Sequence, residues 1–148
     1  ALYDAFLDDS RERAFLHSHS YTGNPLACAA ALAVQDIFDS QPVLAQNRTT
    51  SARMAELAAP LRELRWVADV RQTGMVLAIE LAGPDREALP AGHRAGLRAY
   101  RHAMANGVVL RPLGDVLYWM PPYCIEDDAL QHLANVTRDA IIVATEEL

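Results

Sequence analysis

An α+β layer, with helices packed on one face of a small, mainly antiparallel sheet, is the fold class this sequence predicts. Three observations lead there. Helical periodicity returns in several separate stretches; short extended runs rich in β-branched and aromatic residues come in pairs joined by a few turn formers; and 148 residues, 51% of them hydrophobic and 22% charged, are enough for one compact core.

Taken in order, residues 1–15 set Leu2, Phe6 and Leu7 against Asp4, Asp8 and Asp9, a pattern for a peripheral helix. A polar loop, His17 to Pro25, ends in turn formers, and Pro25 suits the first turn of a helix. The alanine-rich run from Leu26 to Asp39, with Leu32, Val34, Ile37 and Phe38, predicts a largely buried helix. After Ser40-Gln41-Pro42 a second helix carries Leu44, Met54, Leu57, Leu61 and Leu64, with Pro60 ending or kinking it. Residues 66–71 and 75–81 read as a strand pair about a turn at Gln72-Thr73-Gly74. A loop follows to Gly92, then a third helix with Leu97, Tyr100 and Met104 on one face, capped at Asn106-Gly107. Val108 to Pro112 and Val116 to Met120 form a second hairpin across Leu113-Gly114-Asp115, and from Glu126 a long helix sets Leu130, Leu133, Val136, Ala140 and Val143 along one stripe, with acids in its first turn.

Composition excludes several roles. The formal charge is −6, and the arginines are spread from Arg11 to Arg138 without a dense cluster, so nucleic acid is a poor partner. Cys28 and Cys124 are too few for a disulfide framework or a zinc site and read as buried thiols. No apolar run reaches the roughly 20 residues of a membrane span, and no basic-then-apolar leader opens the chain, so the default expectation is a cytoplasmic protein. The first residue is Ala1, a start that processing or trimming would explain. All 13 residues in the Lys+Arg count are arginine, which closes every role needing a side-chain primary amine, Schiff-base chemistry above all.

Two stretches stand apart from plain scaffolding. In the first, the hydroxyls of Ser20, Tyr21 and Thr22 precede Gly23-Asn24-Pro25 and a helix start, a combination that suits an anion such as phosphate and equally an ordinary capped turn. His17 and His19 are two apart with no third ligand nearby, which favours surface or packing histidines over a metal site. In the second, Arg111 lies inside an apolar run beside Pro112. A permanent cation there calls for solvent or for a carboxylate, either on a substrate or within the protein. Tyr118, Trp119 and Tyr123 suit the floor of an aliphatic pocket or the core, and Pro121-Pro122 a rigid exit from the sheet.

Ser20-Tyr21-Thr22-Gly23-Asn24-Pro25-Leu26-Ala27 resembles the hydroxyl-aromatic-x-Gly-Asn-Pro-Leu-Ala segment of the class III, fold-type I aminotransferases. Gly107 to Gly114, followed by Tyr118-Trp119-Met120-Pro121-Pro122-Tyr123, resembles the branch of that family that serves biotin synthesis, and so does Val67-Ala68-Asp69-Val70-Arg71. The resemblance covers nearly the whole chain. It implies a homodimeric enzyme that uses pyridoxal 5'-phosphate to move an amino group from S-adenosylmethionine to 8-amino-7-oxononanoate.

Carried over by position, the resemblance makes Ser20, usually threonine, the hydroxyl that reaches the phosphate of the neighbouring subunit's cofactor. Tyr21 stands where relatives have phenylalanine, and Ser18 and His19 replace a Gly-Pro. Arg111 takes the substrate's carboxylate, with Tyr118 beside it. The family's lysine and the aspartate that pairs with the pyridine nitrogen both lie upstream of this loop. The expectation is therefore a C-terminal portion, inactive alone: residues 1–25 as a trailing segment of the large domain and 26–148 as the small C-terminal domain of fold-type I transferases. A surface made to meet the missing large domain would favour self-association. Two other readings stay open, a class III aminotransferase for another ω-amino acid or diamine, and a non-catalytic α+β module that binds a small acid.

Overall fold

The computed structural model describes residues 2–17, 19–146 and 148, and it divides into two compact units, Ala1–Gln41 and Pro42–Leu148. The division falls after the alanine-rich helix, whereas the sequence reading places its boundary between residues 25 and 26.

In the first unit the opening stretch is not a regular helix but two short 3-10 turns, Tyr3–Phe6 and Arg11–Arg13. Helix α1 spans Pro25–Ser40, and none of its residues is buried. That corrects the expectation of a largely buried helix: Leu26 is 81% and Leu32 60% exposed. Among the described residues the other regular elements of this unit are two single turns, too short to cover a four-turn helix.

The second unit holds the core. Helix α2 (Val43–Ala58) passes into a 3-10 turn, Ala59–Glu63, at Pro60, whose ring and missing N–H do not permit the α-helical ladder to continue. Strands β1 (Val67–Thr73) and β2 (Val76–Leu81) follow, then helix α3 (Ala95–Ala105), strands β3 (Arg111–Leu113) and β4 (Val116–Trp119), and helix α4 (Asp127–Thr145). The strands form one sheet in the order β1-β2-β4-β3 with every pair antiparallel, which is the expected α+β class. Alternate residues Leu77, Ile79 and Leu81 of β2 and Leu117 and Trp119 of β4 are buried in the main core, together with Leu130, Ala140 and Ile141 of α4.

Helices α3 and α4 pack on each other. The buried face of α3 is Ala95, Gly96, Ala99 and Ala103, while Met104 is exposed. These small side chains let α3 lie close to α4, whose own contact face includes Ala140 and Ala144. On α4 the expected stripe holds at Leu130, Val136 and Ala140, which are buried, and at Leu133, which packs on the core; Val143 is exposed, and Thr137, Ile141 and Ala144 join the buried face.

The end of α3 also explains why β3 is shorter than the extended run from Val108. Gly107 adopts φ 78°, and the Val108 N–H donates to the Ala103 carbonyl at 2.9 Å, so Val108 is spent on closing the helix. At the other end of α3, a Cβ built on Gly96 would lie 2.1 Å from the Gly114 carbonyl oxygen. Gly96 donates its N–H to Asp115 Oδ1 at 3.1 Å, so the β3–β4 turn is held against the helix start. Both cysteines are exposed, contrary to the expectation of buried thiols. Among the described residues no helix is long and apolar enough to cross a membrane.

Candidate functional site

The hydroxyl loop belongs to the first unit. Tyr21-Thr22-Gly23 forms a turn in which the Thr22 N–H donates to the His19 carbonyl (3.0 Å) and the Asn24 N–H to that of Tyr21 (3.0 Å), with Gly23 at φ 74°. Asn24 caps α1: its Oδ1 accepts from the Ala27 N–H at 3.1 Å, and Pro25 stands in the first turn. Thr22 Oγ1 accepts from the His19 N–H at 2.7 Å, which leaves its own O–H free to donate. Ser20, Tyr21 and Thr22 are all exposed, and the Ser20 hydroxyl has no hydrogen bond among the described residues. All three hydroxyls therefore stay open as donors to an outside anion. Ser18 lies outside the described residues. The rings of His17 and His19 meet edge-on at 4.9 Å, and Phe15 lies 5.7 Å from His17, so these histidines are used in ring packing. Among the described residues no group of three or more metal-ligating side chains is gathered.

The arginine hairpin belongs to the second unit. Register places Arg111 opposite Tyr118, on the sheet face turned away from the buried Leu117 and Trp119. The same row continues through Ala78 to Arg71, so the two edge strands each contribute an arginine to one line across the sheet. Arg71 is paired within the protein, its Nη1 donating to Glu80 Oε2 at 2.6 Å and Asp69 Oδ2 at 3.3 Å. The hydrogen bond to Glu80, then that to Asp69, raises its pKa above the ordinary arginine value. Arg111 is exposed and has neither a hydrogen bond nor an ion pair among the described residues. Among the described residues no carboxylate pairs with Arg111, and its side chain faces solvent.

Arg111 and Tyr118 open on a cleft of about 340 Å³ whose other walls include Val109, Pro122, Ile125 and Leu133. A guanidinium fork at the rim of an apolar cleft suits a molecule with a carboxylate on an aliphatic body. Trp119 is core: it is 1% exposed, and its Nε1–H donates to Thr137 Oγ1 at 2.9 Å. The Thr137 hydroxyl donates in turn to the Leu133 carbonyl at 2.7 Å, pinning β4 to α4 beneath the cleft. Tyr123 lines a different groove. Sequence reasoning missed Ile125 and Leu133, which line the cleft, and Thr137 behind it, and no local signal marks them, because they meet β4 only once the last part of the chain is packed on the sheet.

A model of the family described as aminotransferase class-III matches residues 2–141. The adenosylmethionine-8-amino-7-oxononanoate aminotransferase of Nitratidesulfovibrio vulgaris is 43% identical over 98% of this chain and 27% of its own length. That of Anoxybacillus flavithermus is 40% identical over 99% of this chain and 33% of its own. The crystal structure of the Methanocaldococcus jannaschii protein of that name superposes with a TM-score of 0.84 at 33% identity, over 95% of this chain and 33% of that one. The chain thus spans a third or less of the length of these relatives.

Proposed function

The chain belongs to the class III aminotransferases, and from that premise we propose that it is the C-terminal portion of an enzyme that transfers an amino group from S-adenosylmethionine to 8-amino-7-oxononanoate, giving 7,8-diaminononanoate in biotin synthesis. The observation that carries the proposal is Arg111, a cation without a protein partner among the described residues, beside Tyr118 at the mouth of an apolar cleft. The acceptor is a carboxylate on an aliphatic chain, which matches that lining. A bidentate pair with Arg111 fixes the carboxylate, and Tyr118 packs along the chain, so the reacting carbon is held at a set distance from the arginine.

Pyridoxal 5'-phosphate supplies the chemistry of this family, carrying the amino group between donor and acceptor. The residues here fit its phosphate end. The open Ser20 hydroxyl, with Tyr21 beside it, stands just before the amino terminus of α1, where the helix dipole favours an anion. In the proposed homodimer Ser20 serves the neighbouring subunit's cofactor. Since the 148 residues include no lysine, the amine that anchors the cofactor comes from the large domain. A cytoplasmic location goes with this reading of the complete protein.

Two measurements test it. The complete protein should turn over 8-amino-7-oxononanoate with S-adenosylmethionine as donor; turnover of other ω-amino acids without this acceptor would overturn the substrate assignment. The 148-residue chain alone should be inactive, and borohydride reduction with pyridoxal phosphate should trap no adduct on any internal side chain. An internal modified residue found by mass spectrometry would contradict the division of labour.

A further inference from the structure

The Arg111 cleft lies between two elements whose spacing is fixed by very little. One wall is the end of β4, with Tyr118 and Trp119; the other carries Ile125 and, from α4, the half-buried Leu133. Helix α4 packs chiefly on α3. Among the described residues the bond from Trp119 Nε1–H to Thr137 Oγ1, at 2.9 Å, is the only hydrogen bond that joins β4 to α4. The same hydroxyl donates to the Leu133 carbonyl at 2.7 Å, so one oxygen atom links a residue of each wall. Thr137 and Trp119 are both buried, and water does not compete for either group. Stability alone does not call for this arrangement. Phenylalanine and valine in the two places would fill a similar volume, and a buried neutral hydrogen bond adds little when both partners are exchanged together for apolar groups. What the bonded pair adds is a single defined distance between the strand and the helix.

We infer that Thr137 is a positioning residue for the acceptor's aliphatic chain: its hydroxyl holds the turn of α4 that carries Leu133 against the end of β4, and so sets the width of the Arg111 cleft. This role rests on the reading of the complete protein as an aminotransferase whose acceptor bears a carboxylate on an aliphatic body. Thr137 does not line the cleft and acts only through Leu133 and Trp119, which do. Arg111 fixes the carboxylate from β3, and the spacing of the two walls decides how closely the rest of the molecule is gripped. Without the hydroxyl, α4 keeps its packing on α3 but loses its hydrogen-bonded link to β4.

The test uses the complete protein, with calorimetric binding of nonanoate as a probe that needs no turnover. Thr137→Val keeps the shape and removes the hydroxyl. It should raise the nonanoate Kd and the apparent KM for 8-amino-7-oxononanoate by at least about fivefold, because a wall displaced by a fraction of an ångström forfeits much of its dispersion contact. At saturating acceptor kcat should stay within about twofold. Thr137→Ser restores the hydroxyl and should bind within about twofold of the wild type. The double variant Trp119→Phe with Thr137→Val leaves no buried donor without a partner, so it remains measurable even where Thr137→Val alone does not fold. Its urea midpoint should recover relative to Thr137→Val while nonanoate binding stays weak. Binding that recovers together with stability would make Thr137 merely structural and overturn the role, as would wild-type binding and KM in Thr137→Val, or Thr137→Ser as weak as Thr137→Val. The wild-type enzyme keeps the two readings apart. Nonanoate bound without turnover of 8-amino-7-oxononanoate sinks only the substrate assignment, and turnover with variants that all bind alike sinks only Thr137.

Discussion

Arg71 and Arg111 are the same residue type on the same face of the same sheet, at opposite ends of one cross-strand row, and they do different things. Three ladder spacings of about 4.8 Å separate them. On β1 the register sets Asp69 against Glu80, and Arg71 bridges to both, so its charge is consumed inside the protein. On β3 the neighbours of Arg111 are Tyr118, Pro112 and the apolar walls of the cleft, so its donors face outward. Among the described residues the fold pairs no acid with Arg111, which is what its proposed role in binding a substrate carboxylate requires.

The largest expected effect attacks what holds the β3 edge in place. Trp119→Ala removes a buried indole under the strand that pairs with β3 and should cost about 3–5 kcal/mol in chemical denaturation. A loss under 1 kcal/mol would mean that the Trp119–Thr137 pin is not what supports that edge. Next comes the contrast itself. In the complete enzyme, Arg111→Ala should raise the apparent KM for the carboxylate substrate by roughly 10- to 100-fold through loss of a charge-assisted fork, while Arg71→Ala should stay within about twofold. Equal effects would erase the distinction drawn here.

The smallest effect sharpens the comparison with another internally paired arginine. Arg53 Nε donates to Asp127 Oδ1 at 2.7 Å, and that hydrogen bond lowers the Asp127 pKa below its ordinary value. A carboxyl depressed in the folded state adds stability above its unfolded pKa and loses that contribution as pH falls through the folded one. Asp127→Asn should therefore shift the urea midpoint slightly downward at neutral pH, since both side chains are exposed, and the difference should vanish at acid pH. A difference that persists in acid would assign the effect to helix capping instead.

Much of the fold was legible because it is governed by short-range rules. Both hairpins follow from paired extended runs about Gly74 and Gly114, each at positive φ. The Pro60 break, the Gly107 helix end and the start of α4 after Glu126 likewise depend on residues a few positions apart. Apart from the opening stretch and the length of β3, the failures are questions of what lies across space. Leu97, Tyr100 and Met104 looked like the core face of α3, but Ala99 and Ala103 are buried instead, because close helix packing rewards the smallest side chains. The apolar face of α1 and both cysteines looked buried, since hydrophobicity states a preference for burial without stating that a partner surface exists.

Of the four candidate site residues, all were nameable from local pattern and resemblance, and their roles remain proposals. The sequence by itself determined what chemistry this chain cannot perform: with no lysine among its 148 residues it has no side-chain amine to offer, whatever its shape. It also determined where hydroxyls, turns and a strand-borne cation occur, because those are properties of neighbouring residues. Only the tertiary structure decided that Arg71 is neutralised and Arg111 is not, that Trp119 is pinned through Thr137, and that Leu133 joins Tyr118 at one cleft. Strand register and helix docking bring together residues far apart in the chain, and no local pattern encodes that meeting.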